Sequence, residues 1–408
     1  MSTIEEPDRG SVRRVRHAIV ALLALAAGMA VFAADAAAGD LKVLKGGYRD
    51  PSSNSGSSYA HPLAGAVLEY DDSSSFGSPT DFPPTDAAGE AIAEDLPRDR
   101  YYVRERTAPA GWNPITTLVW DGATRAYVGR ADVGSSGTET AEVDDLRRFV
   151  NSADNPPVPD ACDVGIRILL LLDRSGSTSG FNDDYRTAAN TFVDTLAGTP
   201  TSLKISSFAT NSTPGTTTFD LTAPGDVTAA KAEIQSIYPT NTSGSGATNW
   251  DKALQDAAEA EVDVIVFVTD GNPTVNQGDL DSGANESIRD IAYGIASANL
   301  AKYPQRDQSL AKQRIIGVGV GGGISVPNLK AVSGPTDGED YVVSNDPADL
   351  AEVLAKVASA ICAGTLTIEK ETVPASDTGK FDLEIDGTAV GGPYGNGGST
   401  GPQTLRTG

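Results

Sequence analysis

Histidine and cysteine are scarce in this chain, which has two of each among its 408 residues. His17 falls in a predicted export signal, so His61 is the single histidine expected in the mature protein. A serine nucleophile needs a base within hydrogen-bonding reach, and zinc sites are built mainly from cysteine and histidine. This scarcity argues against a histidine-dependent catalytic triad and against a zinc site, and we expect no enzymatic activity.

Basic residues are also few relative to acidic ones. Lysine and arginine number 31 against 55 aspartates and glutamates, which gives a formal net charge of −24, and no dense basic cluster occurs. An acidic surface repels nucleic acid and anionic membranes, whereas it suits solubility and cation binding. With 39% apolar residues, 43 glycines and 24 prolines, the composition is typical of a soluble globular protein with many turns. We expect no nucleic-acid partner.

Long apolar runs are lacking except near the amino terminus, where residues 1–38 are typical of an export signal. The segment has a basic region, an apolar run over Ala18–Ala34, and small residues at its end, Ala36, Ala37 and Ala38. A retained membrane anchor is the alternative, but the run is alanine-rich, short for a bilayer span and followed by Asp35. The sequence therefore predicts an exported protein.

A continuous apolar run ends at Leu172 and is followed by three oxygen-bearing side chains at alternate positions, Asp173, Ser175 and Ser177. The run predicts a strand buried on both faces, as at the centre of a parallel sheet. Carboxylate and hydroxyl oxygens suit magnesium or manganese better than zinc or copper. By themselves, these residues are also compatible with a turn and with helix caps.

Two later stretches favour the metal interpretation. Thr248 lies in a glycine-rich loop, Gly244–Trp250, that opens a predicted helix, and Asp270 follows a second apolar run, Val264–Val268. Ligands of open parallel sheets bind where the carboxyl ends of the strands face a common crevice. We therefore expect Asp173, Thr248 and Asp270 to converge there.

These five residues resemble the metal-ion-dependent adhesion site of von Willebrand factor type A domains, which combines an Asp-x-Ser-x-Ser motif, a Thr from a second loop and an Asp from a third. The resemblance implies that Ser175, Ser177 and Thr248 bind the metal directly, and that Asp173 and Asp270 act largely through water. It also implies a free coordination position for an acidic group of an extracellular protein or glycan ligand. Mg²⁺ or Mn²⁺ is the expected metal, and Ca²⁺ is less suited.

Residues 162–362 are expected to form this domain. Alternating predicted strands and helices are typical of an α/β doubly wound fold, in which a mostly parallel, Rossmann-like sheet has helices on both faces. The run Gly317–Gly323 is interpreted as a loop, because it lacks the pattern of a nucleotide-binding turn. Cys162 and Cys362 bracket the domain. Some type A domains join their ends by a disulfide, and export favours a bridge here over two unpaired thiols.

Residues 39–152 contain short β-type segments separated by Gly, Pro, Ser and Asp, which predicts an all-β, immunoglobulin-like sandwich. Two sequence segments resemble the prealbumin-like B-type repeat of collagen-binding adhesins, which also occurs in pilin subunits of Gram-positive bacteria. They are Pro62–Ala66 and Tyr101–Trp112.

Many such repeats carry an internal isopeptide bond, and the resemblance implies Lys45 as the amine, Asn151 as the acceptor and Glu105 as the assisting acid. In a dry core, the uncharged forms of the amine and the acid are both favoured. A surface pair of Lys45 and Glu105 is the alternative, and Lys42 competes with Lys45 for the role of the amine.

The remaining segments are a linker and a carboxyl-terminal stretch. Residues 153–161 are rich in proline and predict a semi-rigid linker that separates the two domains. Residues 363–408 include Thr365–Glu371 and Lys380–Ile385, which resemble the opening strands of a second pilin-type β domain that stops before it is complete. We expect a truncated chain whose anchor is missing, with natural secretion without an anchor as the alternative.

Together, these features predict an exported adhesin on the surface or cell wall of a Gram-positive, actinobacterium-like organism, or secreted by it, with pilus or cell-wall components as further partners. A structural stalk protein whose metal only stabilises the fold is the alternative. A metal-dependent hydrolase is the least favoured possibility.

Overall fold

The computed structural model describes residues 38–49, 61–158, 165–240, 243–280, 286–303, 312–361, 364–385, 387–401 and 403–405. Residues 1–37 of the predicted export signal and both cysteines, Cys162 and Cys362, lie outside the described residues, so export and the disulfide stay predictions. Within these ranges, no helix is long and apolar enough to cross a bilayer.

The amino-terminal region is all β, as predicted, and we call it the β domain. Its strands are β1 (Ala38–Gly46), β2 (Val67–Asp71), β3 (Thr80–Asp81), β4 (Glu90–Pro97), β5 (Asp99–Thr107), β6 (Trp112–Asn113), β7 (Thr117–Trp120), β8 (Ala123–Ala126), β9 (Gly129–Val133), β10 (Thr138–Thr140), β11 (Arg148–Val150) and β12 (Ser152–Ala153). One sheet has the order β10-β1-β11 with β4 also paired to β1, and another has the order β3-β2-β5-β9. Strands β1 and β11 are parallel neighbours.

The second domain, which we call the α/β domain, alternates strands with helices. Its strands are β13 (Arg167–Asp173), β14 (Ser202–Phe208), β15 (Ser212–Thr213), β16 (Phe219–Asp220), β17 (Val264–Thr269), β18 (Arg314–Val320) and β19 (Tyr341–Ser344). Its helices are α1 (Asn182–Leu196), α2 (Pro224–Ile237), α3 (Trp250–Ala258), α4 (Ile288–Lys302), α5 (Val326–Ser333) and α6 (Leu350–Ile361). The sheet order is β15-β14-β13-β17-β18-β19, with β14, β13, β17, β18 and β19 parallel and with β15 and β16 antiparallel on β14.

Both faces of this sheet are covered by helices. Because side chains alternate along a strand, Leu170 and Leu172 of β13 pack in one apolar cluster with residues of α1, α2 and α6. Leu169 and Leu171 pack in the other cluster with residues of α3, α4 and α5. The two-sided burial confirms the predicted doubly wound α/β fold.

The glycine-rich run Gly317–Gly323 agrees with its prediction as a loop only after Val320. Gly317 and Gly319 belong to β18, and the turn begins only after Val320. A Cβ atom at Gly317 would lie 2.7 Å from the side chain of Leu329 in α5. Glycine is therefore needed here because the helix packs directly against the strand.

Residues beyond α6 form short antiparallel pairs. The pairs are β20 (Gly364–Leu366) with β25 (Gln403–Leu405), β21 (Glu369–Lys370) with β24 (Gly398–Ser399), and β22 (Glu384–Ile385) with β23 (Thr388–Ala389). The described part of this segment is thus all β, and its relation to a pilin-type domain stays a prediction.

The β domain docks against the α/β domain, and this corrects the prediction of a linker that separates them. The side chain of Asn155 donates to the carbonyl of Ile315 at 2.9 Å and accepts from the N–H of Ile315 at 2.9 Å. Arg314 donates to the carbonyl of Pro156 at 2.8 Å. The described part of the proline-rich segment is part of the contact, because its polar groups find partners at the start of β18.

A buried ion pair crosses the same contact. Arg49, just after β1, lies 3.2 Å from the Asp251 carboxylate of α3, and the two side chains are 1% and 0% exposed. The guanidinium also lies over the ring of Tyr293 in α4, 5.3 Å from its centroid. Burying a charge is costly unless it is paired. Here each domain supplies the opposite charge that pairs with the buried charge of the other domain.

Lys302, at the end of α4, gives this contact a pH dependence. It is fully buried, and its Nζ donates to Ser152 Oγ at 3.1 Å. Desolvation lowers the pKa of Lys302 to about 7, and the charges of Asp340 and Asp154 oppose that shift only in part. The unfolded chain keeps this proton up to the ordinary pKa of 10.5, so between these two values the folded protein binds fewer protons. We expect the free energy of unfolding to rise with pH across this window, by on the order of a few kcal/mol, and to level off below it.

Thermal unfolding of the wild type and Lys302→Met, compared at about pH 7 and about pH 10, measures this effect. Methionine keeps an unbranched chain of similar size without the charge. The gain in stability at high pH should be smaller in the variant by the contribution of this one amine. An identical pH dependence in the two proteins would contradict the assignment.

Candidate metal centre

Three loops at the carboxyl ends of the parallel strands bring the five predicted residues together. Asp173 ends β13, and Ser175 and Ser177 lie at the short 3₁₀ turn that follows it. Asp270 follows β17, the direct neighbour of β13, and Thr248 lies just before α3. Their common location agrees with the crevice that the sequence predicts, while their role in metal binding stays a prediction.

The hydroxyl groups of the site form a connected chain. Thr248 Oγ1 donates to Ser175 Oγ at 3.1 Å, and Ser175 Oγ lies 3.1 Å from Ser177 Oγ. Ser177 Oγ donates to Asp270 Oδ1 at 2.7 Å. Three uncharged hydroxyl oxygens and one carboxylate therefore lie in a row, each within hydrogen-bonding distance of the next.

Asp173 is held rigidly beside this chain. Its Oδ1 accepts from the N–H of Ser175 at 2.8 Å, and its Oδ2 accepts from Thr269 Oγ1 at 2.7 Å. The hydroxyl of Tyr238 donates to the backbone carbonyl of Asp173. Thr269 was missed by the sequence analysis. The available signal was a hydroxyl at the end of an otherwise apolar buried strand, because a buried hydroxyl requires a partner.

The glycine-rich loop before Thr248 packs closely against the Asp173 loop. A Cβ atom at Gly244 would lie 2.0 Å from the carbonyl oxygen of Ser175, so only glycine fits at this approach. On the other side of Thr248, the side chain of Asn249 accepts from the N–H of Lys252 and caps α3. These two contacts constrain the backbone on either side of Thr248.

The electrostatics of the site favour a cation. Burial, with the nearby charge of Asp270, raises the pKa of Asp173 to about 7, and burial also raises the pKa of Asp270. No lysine or arginine in the described part of the chain forms an ion pair with either carboxylate. Two neighbouring carboxylates without a cationic partner, next to three hydroxyl oxygens, are a donor set that fits a divalent metal with oxygen ligands.

A second buried cluster lies in the β domain. Glu105 of β5 bridges its members: Oε2 accepts from Lys45 Nζ at 2.9 Å, and Oε1 accepts from Asn151 Nδ2 at 3.0 Å. Lys45 and Asn151 are fully buried, and the Glu105 side chain is 3% exposed. Desolvation lowers the pKa of Lys45, although the charge of Glu105 opposes this shift.

This cluster decides between the alternatives that the sequence left open. Lys45 and Glu105 are not a surface pair, because both side chains lie in the core. Lys42 is partly exposed and lies 3.7 Å from Glu90, so it is not a member of the cluster. The amide oxygen of Asn151 has no hydrogen-bond partner among the described residues. The structure thus brings all three predicted residues together, and the covalent bond itself stays a prediction.

No curated protein matches this chain. Among solved structures, a von Willebrand factor type A protein from Catenulispora acidiphila is 15% identical, with a TM-score of 0.37 over 53% of this chain and 46% of that one. The pilus adhesin SpaC from Lactobacillus rhamnosus GG is 14% identical, with a TM-score of 0.39 over 61% of this chain and 40% of that one. Proximal thread matrix protein 1 from the mussel byssus, with a zinc-occupied MIDAS motif, is 18% identical, with a TM-score of 0.36 over 50% of each chain. This chain spans half or less of the length of these three proteins.

A family model matches the α/β domain. The model is that of the von Willebrand factor type A domain, and it matches residues 168–356. The match begins in β13 and ends in α6, so it includes the parallel strands, both helix layers and all five residues of the candidate metal centre. The α/β domain of this chain is therefore a von Willebrand factor type A domain.

Proposed function

We propose that this protein is an exported, surface-located or pilus-associated adhesin whose type A domain binds an extracellular ligand through Mg²⁺ or Mn²⁺. The observation that carries the proposal is the connected chain of Thr248, Ser175, Ser177 and Asp270 beside the buried Asp173. The match to the type A family supports it. A protein or glycan that presents a carboxylate is the proposed ligand.

The proposed roles of the five residues follow from their charges. Ser175, Ser177 and Thr248 would hold the metal through neutral oxygens, and Asp173 and Asp270 would supply the negative charge around it. Bound metal supplies a positively charged coordination position for a ligand carboxylate. The N–H of Ser175 and the hydroxyl of Thr269 keep Asp173 oriented, so the site requires little rearrangement when a ligand arrives.

We propose no catalytic role for the two serines. The Ser177 hydroxyl donates to Asp270, and the Ser175 hydroxyl lies between Ser177 and Thr248. A nucleophilic serine needs a base that accepts its proton. His61 lies in the β domain, stacked on Tyr48 at 4.5 Å, and we assign the Asp270 carboxylate to the metal.

We also propose that an isopeptide bond between Lys45 and Asn151 crosslinks the β domain. The neutral amine attacks Cγ of the Asn151 side chain, the Nζ–Cγ bond forms and the Cγ–Nδ2 bond breaks. Glu105 takes the proton released by Nζ and passes it to the leaving nitrogen, which departs as ammonia. Three features support this reaction: the hydrogen bonds of Glu105 to both partners, the lowered pKa of Lys45 and the dry surroundings. A crosslinked β domain suits a stalk next to an adhesive domain.

Binding of the protein to arrayed matrix proteins and acidic glycans, in Mg²⁺ and then in chelator, tests the adhesin proposal. We expect binding in Mg²⁺, loss in chelator and recovery in Mn²⁺. Binding that persists in chelator would contradict the metal mechanism. Thermal stabilisation by Mg²⁺ without binding to any arrayed ligand would favour a structural role for the metal.

A further inference from the structure

The parallel ladder between β1 and β11 ends beside the Lys45 cluster. Its last pair is Gly46 with Val150, one residue beyond Lys45 and one residue before Asn151. Beyond this pair, the backbone groups of the two segments no longer bond to each other, yet they remain buried at the contact between the domains. Buried backbone groups almost always have hydrogen-bond partners, so the end of the ladder requires partners from elsewhere.

Some of these groups bond within the β domain, where the N–H of Gly47 donates to the carbonyl of His61 at 2.8 Å. A side chain of the type A domain provides the partners of three others. Asn299 of α4 is fully buried, and its Nδ2 donates to the carbonyl of Gly47 at 2.5 Å and to the carbonyl of Asn151 at 2.7 Å. Its Oδ1 accepts from the N–H of Ala153 at 2.8 Å. The amide of Asn299 therefore binds both segments that carry the crosslinking residues. One contact is two residues after Lys45, and the other is at Asn151 itself.

We propose that Asn299 is a positioning residue for the Lys45–Asn151 crosslink, so that docking of the type A domain promotes formation of the bond. This inference rests on the proposed crosslink. The reaction joins two side chains on separate strands, so its rate depends on how accurately those strands are aligned. A misplacement of about 1 Å can slow a reaction about 100-fold, and Asn299 fixes the two backbones at the point where their mutual pairing ends.

The order of events follows from this geometry. Asn299 reaches the two segments only when α4 lies against the β domain, so the crosslink forms fastest after docking. The bond then makes permanent the strand alignment that the docked domain selected. Folding of the β domain and that of the type A domain are thereby coupled, although the three reacting side chains all belong to the β domain.

The chain contains a matched control for Asn299. Asn328 of α5 is also fully buried and also bridges the domains, because its Oδ1 accepts from the N–H of Val119 at 2.9 Å and its Nδ2 donates to the carbonyl of Val119 at 2.8 Å. It binds β7, away from Lys45 and Asn151. Replacement of Asn328 therefore removes a comparable contact between the domains without touching the ladder end.

The test follows the mass of the full chain from synthesis onward in a cell-free reaction. We expect the wild type and Asn328→Ala to lose one ammonia at similar rates, and Asn299→Ala to lose it at least about tenfold more slowly. Docking is measured separately by hydrogen exchange. In Asn299→Ala, the N–H of Val119, held by Asn328, should stay protected. In Asn328→Ala, the N–H of Arg49, which donates to the carbonyl of Ala296 at 3.0 Å, should stay protected.

The outcomes separate the two proposals. Wild-type protein that never loses ammonia contradicts the crosslink itself. Wild-type and Asn299→Ala proteins that lose ammonia at the same rate leave the crosslink standing and overturn the role of Asn299. Slow loss of ammonia together with an unprotected Val119 N–H overturns the positioning role of Asn299, because undocking of the domains would then account for the slow reaction.

Discussion

Asp173→Asn is expected to weaken divalent-metal binding by at least about 100-fold, which corresponds to about 2.7 kcal/mol. Asparagine keeps the size of the side chain, so the fold should persist, but it removes one of the two negative charges that face the hydroxyl chain. Charges a few ångströms apart interact by several kcal/mol at the effective dielectric constant of a protein site. The metal affinity should be measured by calorimetry with Mg²⁺ and Mn²⁺, together with thermal unfolding in each metal.

Asp263→Asn is the matched control, because it makes the same charge change at the opposite end of the same sheet, where Asp263 pairs with Arg167 at 2.6 Å. We expect metal affinity close to that of the wild type in this variant. Saturating metal should raise the unfolding temperature of the wild type and Asp263→Asn and leave that of Asp173→Asn almost unchanged. Equal metal affinity in Asp173→Asn and the wild type would remove the proposed centre.

Asn151→Ala is expected to have its full calculated mass, whereas the wild type should be lighter by the mass of one ammonia. The substitution leaves the Lys45–Glu105 pair intact, so no buried charge loses its partner. A bond that closes a loop of about 100 residues should stabilise the folded β domain by up to about 5 kcal/mol, by the reasoning applied to disulfides. The variant should therefore unfold at a clearly lower temperature, as measured by calorimetry alongside intact mass.

Lys42→Ala is the control for this experiment. Lys42 is the competing amine in the sequence, but its side chain is partly exposed and pairs with Glu90. This variant should lose ammonia as completely as the wild type. Loss of ammonia that depends on Lys42 and not on Lys45 would show that the wrong amine was assigned.

The convergence of the five candidate metal-site residues could be predicted from sequence because these residues follow strong local signals. Asp173 and Asp270 each follow an apolar run, and the ends of parallel strands meet at one edge of a sheet. The choice of Lys45 over Lys42 as the candidate amine could also be made from sequence. Period-two alternation places Lys45 on the same face of β1 as Leu41 and Val43, which are fully buried, and places Lys42 on the other face.

The docked arrangement of the domains could not be predicted in the same way. Asn299 and Lys302 lie in a helix, and nothing in their spacing identifies the surface that covers them. One signal was present: α4 is apolar around most of its circumference, and all its residues except Arg289 are buried. A helix that is hydrophobic on all sides is buried on all sides, which indicates that a second layer covers α4. Which part of the chain forms that layer depends on the complementarity of two folded surfaces.

Helix α5 was missed for a different reason. It is short, and Pro327 in its first turn interrupts the apolar pattern that marks longer helices. The signal was the N-cap, since Ser325 accepts from the N–H of Asn328, and proline is favoured in the first turn of a helix. The helix matters because it carries Asn328, one of the two amides that bridge the domains.

The parallel arrangement of β1 and β11 determines how this protein responds to stretching. The chain enters the β domain at the amino end of β1 and leaves it past the carboxyl end of β11. Tension on the two chain ends therefore slides these neighbouring strands past each other, and the hydrogen bonds between them resist together instead of opening one after another. With Lys45 bonded to Asn151, the pulling force would pass directly from one strand to the other. The segment between these residues would then bear no tension, and a stretched molecule would extend elsewhere first.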